Sequence, residues 1–287
     1  MPTTKEYNVK IASMKSTRKM TKTMQMVSAS KLRKAQEAQR QSLAFAEQTR
    51  ALVSRLAASV SMTSHPLLEH RAGEGKILLL VFTSDRGLCG GFNNNLCKFV
   101  MRWIAENREK HPKVELSFCG RRGHMYFKKR GTVKTHYEGV TAIPKFKNAN
   151  RVSEDIVRLF LSGEYDEVYL VFNHFKNPLS QTPVMKKILP VEPDFIQGGE
   201  ALGQNYLFEP SIDELLAELL PKAVTFQVHF ALLENAAGEH GARMTSMDSA
   251  TSNADKLIDQ YTLLRNRARQ AHITGEMIEI VSGAEAL

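Results

Sequence analysis

The sequence predicts an α/β protein in which two long terminal helices pair as an antiparallel coiled coil, with a smaller α/β domain inserted between them. Three observations predict this architecture. Residues 5–60 contain neither proline nor glycine, residues 211–287 repeat apolar side chains at helical spacing, and the residues between them alternate apolar runs with amphipathic stretches. We place the N-terminal coiled-coil helix in residues 1–62, the α/β domain in 63–209 and the C-terminal coiled-coil helix in 210–287.

The N-terminal helix is predicted from its many strong helix formers, Ala, Lys, Arg, Gln, Met and Leu. Positions alternately three and four apart form a heptad seam, but its contact positions are small or polar. The seam begins with Ile11, Met14, Arg18, Thr21, Gln25 and Ser28. Such a seam packs closely but weakly, so we expect other parts of the chain to hold the pairing in place.

The C-terminal helix is predicted to open at Pro210 and Ser211. Pro221 is predicted to restart it, because the first turn of a helix tolerates proline. Gly238 and Gly241 are its expected weak points. Residues 211–287 outnumber residues 1–60 by about 17, which gives an overhang of roughly 25 Å if all are helical.

The middle of the chain alternates strand and helix patterns. Strands are predicted at 76–84, 114–120, 133–140 and 167–175, with helices at 93–111, 121–131 and 152–166 and an antiparallel edge strand at 184–191. Continuous apolar strands alternating with amphipathic helices indicate a Rossmann-like, mostly parallel sheet covered by helices.

The stretch SDRGLCGGFNNN at 84–95 follows the first strand, where an α/β sheet can hold a phosphate. Its glycines match neither GxGxxG nor GxxxxGK[ST], and no acidic residue stands about twenty positions later at the end of a second strand. Tight-turn packing is therefore the favoured interpretation. The chain also lacks GxSxG, HExxH and paired histidines at metal-ligand spacing, so we predict no catalytic residue, no metal and no cofactor.

The formal net charge of +9 is concentrated at the N-terminus, where residues 1–40 hold ten Lys or Arg and two acids. Such a segment predicts an acidic partner. Three cysteines without CxxC spacing indicate reduced, buried thiols. The longest apolar run, Ile77 to Phe82, is too short to span a bilayer, and no apolar signal core follows Met1, so a cytoplasmic location is expected.

Two functions other than a subunit of a protein assembly remain open on the residues alone. A basic coiled coil could bind nucleic acid, although residues 1–40 contain a single aromatic side chain, Tyr7, for base stacking. A nucleotide-dependent α/β enzyme is the second alternative, weakened by the missing phosphate-binding patterns.

Six blocks, in order along the whole chain, resemble the gamma subunit of F-type, proton-transporting ATP synthases of the bacterial type. They are KIASMKSTRKMTKTMQMVSASKLRKAQ at 10–36, HPLL at 65–68, SDRGLCGGFNNNL at 84–96, YLFEP at 206–210, GARMTSMDSATSNA at 241–254 and NRARQAHITGEMIEIVSGA at 266–284. The resemblance implies a central rotor shaft, present in one copy, that couples proton flow to conformational cycling of the catalytic beta subunits and catalyses nothing itself. It implies alpha, beta and epsilon subunits and the membrane c-ring as partners, with no nucleic acid. It also implies a peripheral location on the cytoplasmic face of the cell membrane.

The resemblance also assigns contacts to individual residues, by motif. It implies hydrogen bonds to a loop of beta from Arg269, Gln270 and Thr274. It places against acidic regions of beta the residues Arg243, Met24, Arg86 and Cys89. It places on the c-ring the foot residues Tyr206, Phe208 and Glu209.

Overall fold

The computed structural model describes residues 3–58, 65–71, 75–191 and 212–285. Its elements are α1 (Thr4–Ala58), β1 (Lys76–Phe82), α2 (Phe92–Glu106), β2 (Lys113–Cys119), α3 (Arg121–Phe127), β3 (Val133–Tyr137), α4 (Phe146–Leu161), β4 (Glu167–Asn177), β5 (Ser180–Leu189) and α5 (Ile212–Glu285). The predicted α/β class, with long terminal helices and a mostly parallel sheet, is confirmed.

The chain divides into two compact units. One contains Met1–Ser28 with Arg243–Leu287, and the other contains Ala29–Ala242. The second unit therefore includes the sheet together with the adjoining parts of both long helices. The boundaries predicted at residues 62 and 209 lie outside the described residues.

The sheet has five strands in the order β3-β2-β1-β4-β5. Strands β1 to β4 are parallel, and β5 pairs antiparallel with β4, as predicted for the edge strand. Strand β1 lies at the centre and is covered on both faces, so Ile77 to Phe82 are fully buried. This explains why the strand reads as an unbroken apolar run.

Alternate side chains of β1 enter two separate cores, because successive residues of a strand point to opposite faces. Leu78, Leu80 and Phe82 pack with side chains of α4 and α5. On the other face, the core around Ile77, Leu79 and Val81 includes side chains of α2 and α3. Each large apolar side chain buried in this way contributes about 1.5–3 kcal/mol to folding.

Helix α5 continues through Pro221, so the prediction that this proline restarts the helix is wrong. Leu216 and Leu220 before it, and Ala223 and Val224 after it, are all buried in the core of the sheet unit. Packing on both sides of the proline offsets the loss of one backbone hydrogen bond.

By length and composition alone, α5 is apolar enough to cross a membrane. A helix buried in the core of a protein meets the same criterion. Most residues from Ala223 to Glu239 are buried here, and they include the carboxylates of Glu234 and Glu239, which are costly in lipid. In this structure, that stretch of α5 packs as a core helix.

In the first unit, α1 and α5 pair antiparallel through polar side chains. The hydroxyl oxygens of Thr21 and Thr251 are 2.7 Å apart, and Gln25 Nε2 donates to Asp248 Oδ1 at 2.7 Å. Near the start of α1, Arg265 Nη1 donates to Asn8 Oδ1 at 3.5 Å. These pairings confirm the predicted semi-polar, antiparallel seam.

The same register shows where α5 extends past α1. Asn8 of α1 lies beside Arg265 of α5. Because the helices are antiparallel, the residue four positions before Asn8 lies level with the residue four positions after Arg265. The first residue of α1, Thr4, is therefore level with Arg269. The remainder of α5, up to Glu285, continues for roughly 24 Å beyond that level. We call residues 269–285 the overhang; its length agrees with the predicted value.

Candidate functional site

The overhang presents side chains that the described chain does not cover. Arg269, Gln270 and Thr274 are exposed, and none of them forms a hydrogen bond or ion pair within the described residues. Large apolar side chains are exposed on the same segment, namely Ile273, Met277, Ile278, Ile280 and Val281. Apolar side chains clustered on one helix end indicate a surface that another protein covers.

Arg269 and Gln270 supply a directed set of hydrogen-bonding groups at the start of the overhang. A guanidinium offers five N–H donors in a planar fork, and an amide offers two donors and one acceptor oxygen. Consecutive helical residues point about 100° apart, so the two side chains can grip a polar loop from two directions. The arrangement suits recognition of carboxylate and carbonyl oxygens.

The basic part of α1 forms a second candidate surface. Met24 is half-buried, whereas Met20 and Val27 on the same helix are largely exposed. Arg243, expected from the resemblance to contact a partner, is only 8% exposed. The charge accessible at this level of the helix pair is therefore mainly the lysines and arginines of α1.

The glycine-rich turn after β1 forms a third candidate surface and has the tight-turn geometry that was predicted. Gly90 adopts a positive φ of 56°, and α2 begins two residues later at Phe92. The side chain of Asn93 braces the turn, because its Oδ1 accepts from the Ser84 backbone N–H at 2.9 Å and its Nδ2 donates to Ser84 Oγ at 2.7 Å. Leu88 also has a positive φ, of 62°, which the sequence did not predict.

The turn exposes one cation and one apolar side chain. Arg86 is exposed and Leu88 is 62% exposed, whereas Cys89 is 2% exposed and packs with Phe92 and Ala242. A partner at this turn would therefore touch Arg86 and Leu88, with Cys89 anchoring the turn from inside.

The crevice where such a sheet would bind a nucleotide is filled by α5. Strand order reverses between β1 and β4, and ligands of α/β sheets bind at that point, beyond the carboxyl ends of the strands. Here Asn235 of α5 donates to the Thr83 carbonyl oxygen at 3.3 Å, at the end of β1. Asn173 of β4 donates to the Phe92 carbonyl oxygen at 3.1 Å.

Close packing of α5 against the start of α2 completes this filling. A Cβ atom added to Gly238 would lie 2.8 Å from Phe92 Cε2, and one added to Gly241 would lie 3.0 Å from Phe175 Cε2. The two glycines expected to weaken α5 are thus the positions at which aromatic rings contact its backbone. Helix α5 is uninterrupted through both.

We expect the full chain to bind neither ATP nor NAD, because α5 occupies the crevice and the turn lacks a phosphate-cradling lysine or acidic partner. Isothermal titration calorimetry with each nucleotide should show no saturable heat. Binding at micromolar concentrations would contradict this prediction.

All three cysteines are buried, and none of them forms a disulfide. Burial raises the pKa of Cys97 to about 11 and also raises the pKa of Cys119. Both thiols therefore stay protonated near neutral pH and are poor nucleophiles and metal ligands. Among the described residues, no group of three or more His, Cys, Asp or Glu side chains is placed to hold a metal ion.

The fold and these surfaces define a class of protein, an α/β unit inserted in sequence between two long antiparallel helices, in which the end of α5 has no partner among the described residues. The chain belongs to the ATP synthase gamma chain family. The family model described as ATP synthase matches residues 3–287. The gamma chain of Trichlorobacter lovleyi is 43% identical over 287 residues, covering 100% of this chain and 99% of that protein. The gamma chain of Anaeromyxobacter sp. strain K is 44% identical over 291 residues, covering 100% of both.

Solved structures share the fold at lower sequence identity. A chain of the Euglena gracilis mitochondrial ATP synthase, from a structure of its OSCP, F1 and c-ring, aligns with a TM-score of 0.66 and 19% identity. The alignment covers 99% of this chain and 94% of that one. A chain from the central stalk and c-ring of the Tetrahymena thermophila enzyme aligns with a TM-score of 0.60 and 22% identity, covering 80% of this chain and 99% of that one. As a gamma chain, the protein is a subunit of the membrane-bound ATP synthase complex.

The structure separates the predicted site residues by their exposure. Exposed side chains belong to Arg269, Gln270, Thr274 and Arg86, while Met24 is half-buried and Arg243 and Cys89 are buried. The foot residues Tyr206, Phe208 and Glu209 lie outside the described residues. Sequence reasoning missed Glu234 and Asn235, although two polar residues inside the apolar run HFALLENAAG could have drawn attention to them.

Proposed function

We propose that this chain is the central rotor shaft of an F-type ATP synthase, coupling proton flow through the membrane ring to conformational cycling of the catalytic beta subunits. The observation that carries the proposal is the overhang, a helix end with uncovered apolar and hydrogen-bonding side chains, in a chain of the gamma family. The chain itself catalyses nothing; ATP is made or hydrolysed on its partners.

The mechanism follows from differential contact. A ligand shifts a conformational equilibrium only by contacting its states unequally. A turning helix pair whose overhang carries Arg269, Gln270 and Thr274 meets each beta subunit in turn and favours a different conformer at each angle. Met24 and the exposed cations of α1 form the second contact with acidic regions of beta, and Arg86 at the glycine-rich turn forms the third. Arg243 and Cys89, which are buried, support these two surfaces from within.

The other partners follow from the family. Epsilon and the c-ring hold the α/β end, with Tyr206, Phe208 and Glu209 at the ring. One copy of the chain serves each complex, at the cytoplasmic face of the membrane and peripheral to it. The excess of Lys and Arg in residues 1–40 serves contact with acidic protein surfaces and needs no nucleic acid.

Affinity purification under mild detergent tests this function. Tagged full-length chain should bring alpha, beta and epsilon with it in a complex that hydrolyses ATP. A matched variant lacking residues 269–287 should recover less alpha and beta, because the overhang is removed. Recovery of the chain with nucleic acid, released steeply by salt and without alpha or beta, would refute the proposal.

Met24→Lys should impair coupling more than assembly. The new ammonium would stand among the exposed cations of α1, opposite the proposed acidic loop of beta, and a charge-assisted contact there stabilises one rotary position over the others. Proton pumping and ATP hydrolysis by reconstituted complex measure the effect. Met24→Leu, which keeps the size without the charge, is the control. Wild-type pumping by the lysine variant would reassign Met24 to packing between the helices.

A further inference from the structure

Glu234 of α5 is a buried carboxylate that none of the proposed partner contacts uses. It is 1% exposed and lies where α5 packs on the sheet. Burying an ionised carboxylate is costly unless it is paired and hydrogen-bonded. The groups around it must therefore be its partners.

Three polar groups from two other elements meet at this carboxylate. Oε2 accepts the backbone N–H of Phe175 in β4 at 2.6 Å. The same oxygen lies 3.0 Å from Nδ1 of His174, within hydrogen-bonding distance. Oε1 accepts from Nε2 of Gln39, on α1. One side chain thus joins α5 to α1 and to β4.

The surrounding packing fixes α5 at the same level. The Phe175 ring and Pro178 lie against Gly241, two turns beyond Glu234, and Asn235 bonds to the end of β1. Helix α5 is therefore held against β4 both by the hydrogen bonds of the Glu234 carboxylate and by the close packing of Phe175 and Pro178 on Gly241. The hydrogen bond from Gln39 to Glu234 connects this part of α5 to α1.

We propose that Glu234 is a positioning residue that locks the parts of α1 and α5 within the second unit to the sheet, so that these parts turn with the sheet. The proposal rests on the rotor function proposed above. Without the lock, torque delivered to the sheet unit would be partly lost as sliding of α1 against α5. Glu234 touches no catalytic group; it acts through the geometry of the two helices.

Reconstituted complexes carrying Glu234→Ala or Gln39→Ala test the lock. We expect assembly and ATP hydrolysis to be retained while protons pumped per ATP hydrolysed fall roughly two- to fivefold, since a buried bond to a charged group is lost. Gln41→Ala is the matched control: Gln41 lies on the same helix, is exposed, and bonds to Glu37 of α1 itself. It should pump like the wild type.

Two further measurements separate positioning from general destabilisation. Hydrogen exchange on the complex should show loss of protection at the Phe175 amide and around Gln39 together in Glu234→Ala, and no loss in Gln41→Ala. The exchanged pair Gln39→Glu with Glu234→Gln restores a bond between α1 and α5 with donor and acceptor reversed, so it should recover pumping.

Wild-type coupling by assembled Glu234→Ala complex, or a loss of pumping only in proportion to the amount assembled, would overturn the proposal. If Glu234→Ala does not fold, Gln39→Ala and the exchanged pair decide it in the same way. Failure of the wild-type chain to assemble with alpha and beta would instead overturn the rotor function itself.

Discussion

Replacing both Arg269 and Gln270 by alanine should lower the steady-state ATP turnover of the purified complex by roughly tenfold or more, with the complex still assembled. Each well-formed hydrogen bond to a charged group is worth about 1.5–3 kcal/mol, and about 1.4 kcal/mol changes an equilibrium tenfold. Both side chains are exposed and unpaired within the described chain, so their bonds are available to a partner. Their loss removes a bias on one beta conformer but leaves the apolar overhang to hold the assembly.

Arg267→Ala is the matched control for the guanidinium of Arg269. Arg267 is also exposed on α5 and points about 200° around the helix from Arg269, although only about 60° from Gln270. It should retain most of the turnover. Normal turnover by the double variant would remove both residues from the coupling contact, and an equal loss in Arg267→Ala would remove Arg269 as a specific contact.

Gly120→Ala should prevent stable folding of the α/β unit. Gly120 has a φ of 110°, and an added Cβ would lie 2.2 Å from the Thr83 carbonyl oxygen and 2.7 Å from its carbonyl carbon. Both atoms belong to the backbone of Thr83, which is buried at the end of the central strand β1, so neither can move aside. We expect a loss of more than about 4 kcal/mol in the free energy of unfolding. Losses of this size come from a few mechanisms, which include overpacking in the core and strain at an unusual backbone conformation.

Gly139→Ala provides the comparison for Gly120. Its φ of 72° is also positive, but an added Cβ would meet nothing within 4 Å. The backbone strain of an alanine at this positive φ should lower the free energy of unfolding by about 1–3 kcal/mol. Urea unfolding followed by circular dichroism measures both variants. Equal losses in the two would show that the clash with Thr83 is relieved by movement of the strands.

The sequence predicted the elements of the sheet unit well because full burial leaves a strong pattern. Ile77 to Phe82 could only be a central strand or a core helix, and the following glycines favoured the strand. Pro221 was misjudged because propensity describes an isolated helix, whereas buried apolar side chains on both sides keep α5 helical through it. At Pro221, tertiary packing therefore outweighs helix propensity.

The candidate site was only partly predictable for a related reason. Exposed residues such as Arg269 were found through motif resemblance, since an exposed arginine has no periodic signal of its own. Glu234 was missed because its significance lies in Gln39 and Phe175, which are far from it in sequence. The pairing of distant polar groups leaves no local pattern.

The filling of the sheet crevice by α5 can be expressed as an affinity. In binding terms, α5 is a tethered ligand of its own sheet, with Asn235 as the polar group that reaches the end of β1. Attachment to the same chain gives such a ligand an effective concentration on the order of millimolar or more. A free nucleotide would have to outcompete that concentration and also expose the core residues Val228 and Leu232 to water. We therefore expect fluctuations in the cellular ATP pool to leave this subunit unchanged, even though the complex to which it belongs works on ATP.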